Sequence, residues 1–137
     1  MSAHLMLTIT SAVHRPVGVM LAVVLGLIAL LHVYWALGGR WGLAEALGGP
    51  EKPVPPALLI WIVAALLATA AVVVLGRAGV WGGDMPEWLF ALGSWGLALA
   101  LVLAALVNLR AHTDWERLGF GPLCLLLAFA AAVVARG

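Results

Sequence analysis

Charged residues are sparse in this chain. Seven Lys or Arg and six Asp or Glu among 137 residues amount to 9%, with a formal net charge of +1, whereas a water-soluble domain carries about a quarter charged residues. That scarcity excludes a soluble globular domain. The near-zero balance also removes the basic footprint that nucleic acid needs and the polybasic arm that anionic lipid attracts, so no nucleic-acid partner is expected. Cysteine is scarcer still: Cys124 stands alone inside an apolar run, which rules out an intrachain disulfide and a cysteine metal cluster. Without a basic neighbour to activate it, Cys124 reads as a small packing residue. No phosphate loop, dinucleotide fingerprint, HExxH helix or nucleophile elbow occurs, which argues against the familiar soluble enzyme chemistries.

What the chain has is apolar length: 65% of its residues are hydrophobic and its mean hydropathy is +1.14. A bilayer core about 30 Å thick takes roughly 20 apolar residues in a helix. Windows free of internal charge run over Val17–Leu37, Ala57–Leu75, Trp88–Leu109 and Leu118–Ala135. The expectation is an all-α fold, a four-helix transmembrane bundle forming one domain over residues 1–137, and a multi-pass membrane protein with the lipid bilayer as its first partner. The first run is too long for a secretion signal and ends in bulky aromatics instead of a small-residue cleavage site.

Along the chain, residues 1–14 suit either an interfacial segment or an early extension of the first helix. Pro16 suits a helix start and Gly38-Gly39 a helix end. The connection from Gly38 to Pro56 is the longest, with one or two helical turns expected over Leu43–Leu47 and a stiff extended run through Pro53, Pro55 and Pro56. Gly76-Arg77 reads as the end of the second span. Asp84-Met85-Pro86-Glu87 and Thr113-Asp114-Trp115-Glu116 have the form of capping boxes, which move the last two spans to about residues 86–109 and 115–135, beginning at Met85 and near Asp114. Pro122 is expected to kink the fourth helix. Gly96, Ala100, Ala104 and Asn108 share one helix face, an arrangement that admits a close neighbour and aims Asn108 into that contact.

Four spans place loops 1 and 3 at one end, and the specific chemistry concentrates there. The stretch from His32 to Gly42, HVYWALGGRWG, joins a histidine, a tyrosine, two tryptophans and an arginine in one corner. Ionisable groups inside spans usually mark a pathway, a ligand or a deliberate pair. His32 therefore has three readings: a neutral histidine bonded to a neighbouring helix, with Asn108 as the partner; a group that binds a small molecule or moves a proton; or a haem or metal ligand, for which only His112 could supply a second histidine. Tyr34, Trp35, Trp41, Trp61 and Trp115 form an aromatic belt or, alternatively, the walls of a pocket with Arg40 as an anion-binding floor. In loop 3, Arg110 with Asp114 and His112 with Glu116 have i,i+4 spacing for ion pairs. The functional alternative gathers His112, Asp114, Glu116 and Glu45 around an acid/base or metal centre, although no metal motif matches the spacing.

The residues His32, Tyr34, Trp35, Ala36, Leu37, Gly38, Gly39, Trp41 and Gly42, together with Pro122-Leu123-Cys124-Leu125 and the acidic Asp114 before it, carry a resemblance over essentially the whole chain. The chain resembles a family of small bacterial membrane proteins described only as a domain of unknown function. It departs from that pattern in a shorter stretch between the third and fourth spans, and in Phe120-Gly121 where a Tyr-Ser pair is common. The resemblance implies a four-helix inner-membrane protein and carries over no catalytic residue. The candidate ligand-binding set read from the residues is His32, Tyr34, Trp35, Arg40, Trp41, Asn108, Arg110 and Asp114, with no metal and no cofactor expected. The leading expectation is a non-enzymatic component of a membrane assembly, a homo-oligomer or a subunit, that binds a small hydrophobic or anionic ligand. The rival is a small membrane enzyme or haem-type redox protein using His32 with His112, Asp114 or Glu116. Four spans leave little room for a private transport path, so transport would require oligomers.

Overall fold

In the computed structural model, which describes residues 2–137, Ser2 opens the first helix: its side chain accepts the Leu5 N–H at 3.4 Å. Helix α1 then runs from Ala3 to Ala36, 34 residues, or about 51 Å at the α-helical rise, against about 30 Å of bilayer core. Pro16 lies inside this helix instead of starting it. The hydroxyls of Thr8, Thr10 and Ser11 donate back to the carbonyls of His4, Met6 and Thr8 at 2.8–3.0 Å, so the polar side chains of the extension are satisfied within the helix itself. Residues 2–13 are exposed, and burial begins at Gly18 and recurs at Leu21, Ala22, Leu25, Ala29 and Trp35, the three-and-four spacing of a helix with one covered face.

The chain turns by glycine. Gly38, at φ +103°, closes α1 in a Schellman motif: Gly38 N–H donates to the Trp35 carbonyl at 3.0 Å and Gly39 N–H to the Tyr34 carbonyl at 2.9 Å. A short helix α2 follows at Leu43–Ala46, where the spacing predicted a turn or two. Helix α3 spans Ala57–Arg77, and its left-handed cap is Gly79, not the expected Gly76. Gly76 is needed elsewhere, because the Phe90 ring packs against it where a Cβ would stand.

Helix α4 spans Glu87–Leu109 with Pro86 as its cap residue and no side-chain cap bond. The expected start at Met85 under an Asp84 cap fails because a residue before proline is pushed out of the helical region. The last span opens as a π-helical stretch, Trp115–Phe120, and continues as α5, Gly121–Arg136. Pro122 is the second residue of α5, directly after this π-helical turn, where the wider winding accommodates its missing N–H.

These four long helices are apolar enough to cross a membrane, and among the described residues there is no strand: the protein is an all-α, multi-pass membrane bundle. Helix α1 packs on α3 and α4 on α5, and the two pairs join through α3–α4 and α1–α5. Helices α1 and α4 therefore stand on a diagonal. The core is Leu21 and Leu25 from α1, Ala71 and Val74 from α3, Ala98 from α4, and Leu127, Ala131 and Val134 from α5. The small-residue stripe of α4 is not spent on this packing: Gly96 and Ala100 are exposed, and a Cβ built on Gly96 meets nothing within 4 Å.

Candidate functional site

Trp35 anchors the loop 1 corner. It is 9% exposed, and its indole N–H donates to the Trp41 carbonyl at 2.8 Å. The Tyr34 hydroxyl accepts the Trp41 N–H at 3.4 Å. Residues 37–42 are thus folded back onto the last turn of α1, and α2 is delivered beside it. Leu43 of α2 and Ile60 of α3 close on Trp35 to make a small second core, with Leu31, Ala46 and Leu47 around it. Glu45 stays exposed, so α2 is an amphipathic flap with its leucines turned in.

Between the end of α1, this flap and the start of α3 lies a cavity of ≈ 380 Å³, walled by Trp35, Leu43, Leu47, Pro55, Ile60 and Val63. Its one ionisable lining group is His32. The Nδ1–H of His32 donates to the Ile28 carbonyl at 2.8 Å, one turn back in its own helix. A carbonyl can only accept, so Nδ1 carries a proton, which leaves Nε2 as the ring nitrogen free to meet a ligand. No described residue bonds Nε2. The imidazole meets the Trp35 ring edge-on, with centroids 4.9 Å apart and an interplanar angle of 64°, which holds its orientation. Leu59, Ile62 and Val63 also line the cavity and are exposed on the outer surface of the bundle, so the cavity opens sideways, toward lipid.

Of the residues the sequence singled out, His32 and Trp35 line this cavity. Tyr34 and Trp41 support it from outside: Tyr34 covers Gly39, and Trp41 is 76% exposed while its backbone holds Trp35. Arg40 is exposed and lies outside the cavity lining, so it is no floor to it. Asn108 is not the partner of His32. Its side-chain amide donates to the Ala104 carbonyl at 2.8 Å within α4, across the diagonal from α1.

Loop 3 forms its own arrangement. Thr113 accepts the Glu116 N–H at 3.4 Å and donates its hydroxyl to the Glu116 carboxylate at 2.6 Å, so only the first bond of the expected capping box forms, the carboxylate taking the hydroxyl in place of the Thr113 backbone N–H. Asp114 pairs with Arg117 at 2.7 Å on the surface. The expected i,i+4 pairs of Arg110 with Asp114 and His112 with Glu116 do not form, because residues 111–113 leave the helix and that spacing no longer places them on one face. Glu116 lies against Gly48, which docks loop 1 on loop 3. Among the described residues no three His, Cys, Asp or Glu side chains converge as metal ligands.

Sequence reasoning missed the cavity walls Leu43, Leu47, Pro55, Ile60 and Val63. The signal for the first two was present in LAEAL, where Leu43, Ala46 and Leu47 share a helix face opposite Glu45. Nothing in the sequence marked Pro55, Ile60 or Val63. Residues 25–131 match the family described as "Protein of unknown function (DUF3995)". No curated protein and no solved structure matches the chain.

Proposed function

Because the chain belongs to the DUF3995 family, whose description assigns no activity, its function has to come from its own geometry, and we propose that it is a non-enzymatic binding component of a bacterial inner-membrane assembly. The ligand is a small lipid-soluble molecule carrying one hydrogen-bond donor, a hydroxyl or an amine, and it occupies the cavity between α1, α2 and α3. The observation that carries this reading is His32 in the lining of an apolar cavity, its Nδ1 tied to the Ile28 carbonyl and its Nε2 without a partner among the described residues. Small-molecule sites are mostly apolar recesses with a few placed polar groups, and His32 is the half-buried polar group of this one. The sideways opening supports entry from the bilayer. The absence of a cation from the lining disfavours the anionic class of ligand.

Native mass spectrometry of gently extracted protein, run beside its visible absorbance, tests this. The wild type is expected to retain a defined non-protein mass and to be colourless, while His32→Ala keeps its helical content and melting behaviour and loses that mass. Equal retention by wild type and His32→Ala would sink the proposal. A visible absorption band would replace it with the haem-type redox reading, in which His32 would hold the iron.

A further inference from the structure

The opposite end of the bundle carries a recess of ≈ 300 Å³ between the end of α3, the turn after it and the start of α4. Its fixed charge is Arg77. Nε–H and Nη2–H of that guanidinium donate to the Ala135 carbonyl at 3.2 and 3.0 Å. This carbonyl belongs to the last turn of α5, where acceptors lack helical partners. The negative end of a helix thus holds the arginine in place, and only 14% of its side chain is exposed. The nearest carboxylate, Glu87, stands 4.0 Å from Nη1 on a side chain 92% exposed, beyond hydrogen-bond length. Nη1 therefore has donors without an acceptor among the described residues. Gly82 and Gly83 line the same recess, and their N–H groups likewise find no described acceptor.

A second feature adjoins the first. An apolar groove of ≈ 340 Å³ runs along the outside of α3 and α4 between Val72, Val73 and Leu89, and it shares Trp81, Met85 and Phe90 with the Arg77 recess. Trp81 meets Phe90 edge-on at 5.2 Å and donates its indole N–H to the Val72 carbonyl at 2.7 Å, so the wall between the two is rigid. Trp81 and Trp88 mark this level as headgroup depth. A polar recess with an immobilised guanidinium, continuous with a lipid-facing apolar groove, has the form of one amphiphile: a phosphodiester above and an acyl chain below.

We propose that this is a phospholipid site. Arg77 Nη1 and the Gly82 and Gly83 amides take the phosphate, since arginine suits phosphate oxygens geometrically. The α3–α4 groove takes an acyl chain. Glu87, exposed beside the phosphate position, selects a headgroup with an ammonium over an anionic one. The site is independent of the His32 cavity.

The test is native mass spectrometry of the full chain from nanodiscs containing equal amounts of phosphatidylethanolamine, phosphatidylglycerol and diacylglycerol. The wild type is expected to retain both phospholipids over diacylglycerol, with the ethanolamine lipid ahead, and Glu87→Gln to abolish that lead. Arg77→Gln should lower phospholipid retention about tenfold, the order expected for losing a charge-assisted bond. Arg77 also caps α5, so Gly83→Leu serves as a second variant. A Cβ at Gly83 meets nothing within 4 Å, and because Gly83 lines the recess the longer side chain is expected to crowd it while Arg77 itself is unchanged. It should produce the same loss. Retention of diacylglycerol equal to the phospholipids, unchanged retention in Gly83→Leu, or displacement of the lipid by inorganic phosphate would each overturn the assignment, the last by showing a free-anion site.

Discussion

The Tyr34 ring lies so close over Gly39 that a Cβ built on the glycine would collide with the carbons at the hydroxyl end of the ring. Two adjacent glycines therefore do different work at the end of α1. Gly38 supplies a left-handed φ of +103°, and Gly39 supplies the space that lets Tyr34 fold over the turn and hold Trp41. Gly39→Ala should displace Tyr34 and destabilise the protein by about 1–3 kcal/mol, the usual range for overpacking. Thermal unfolding in detergent, followed by circular dichroism, reads this as a lowered midpoint, with a matching loss of tyrosine order by near-ultraviolet signal.

Trp35 connects the corner to the cavity through a single bond, from its indole to the Trp41 carbonyl. Trp35→Phe keeps most of the apolar contact with Leu43 and Ile60 but removes the donor. The expected loss is about 1 kcal/mol, and the flap α2 should loosen. Hydrogen exchange over residues 41–47 is the measurement, and faster exchange confined to that segment is the expected result.

Ser94 is fully buried on α4, and its hydroxyl has no partner among the described residues. A buried polar group without a bond is unfavourable, and alanine is also the better helix former. Ser94→Ala should raise stability by about 1 kcal/mol or more. A lowered unfolding midpoint would show that the hydroxyl makes a bond in the folded protein.

Gly96 offers a test of association. Since a Cβ there meets nothing in one copy of the chain, Gly96→Ala should stabilise the monomer by about 0.8–1 kcal/mol through helix propensity. The same variant should leave the oligomeric mass in detergent unchanged if the stripe is free. A smaller mass accompanied by a lower melting point would place a second chain on this face.

Hydropathy and length alone determined that four helices cross a membrane and that loops 1 and 3 share an end, because both follow from local apolar content and chain direction. Helix ends were legible where one glycine was enough, as at Gly38. The end of α3 at Arg77 was legible too, although its left-handed residue is Gly79 while Gly76 makes room for Phe90; the start of α4 was misread because Pro86 forbids a helical Met85. The position of His32 as an ionisable group inside a span was also legible. Its partner was not. Whether His32 meets Asn108 depends on which helices are neighbours and which are diagonal, and no periodicity within one helix encodes that. The tertiary structure alone decided that α1 and α4 do not pack along a shared face, that His32 turns its Nδ1–H back to Ile28, and that His32 lines a cavity closed by residues from two other helices.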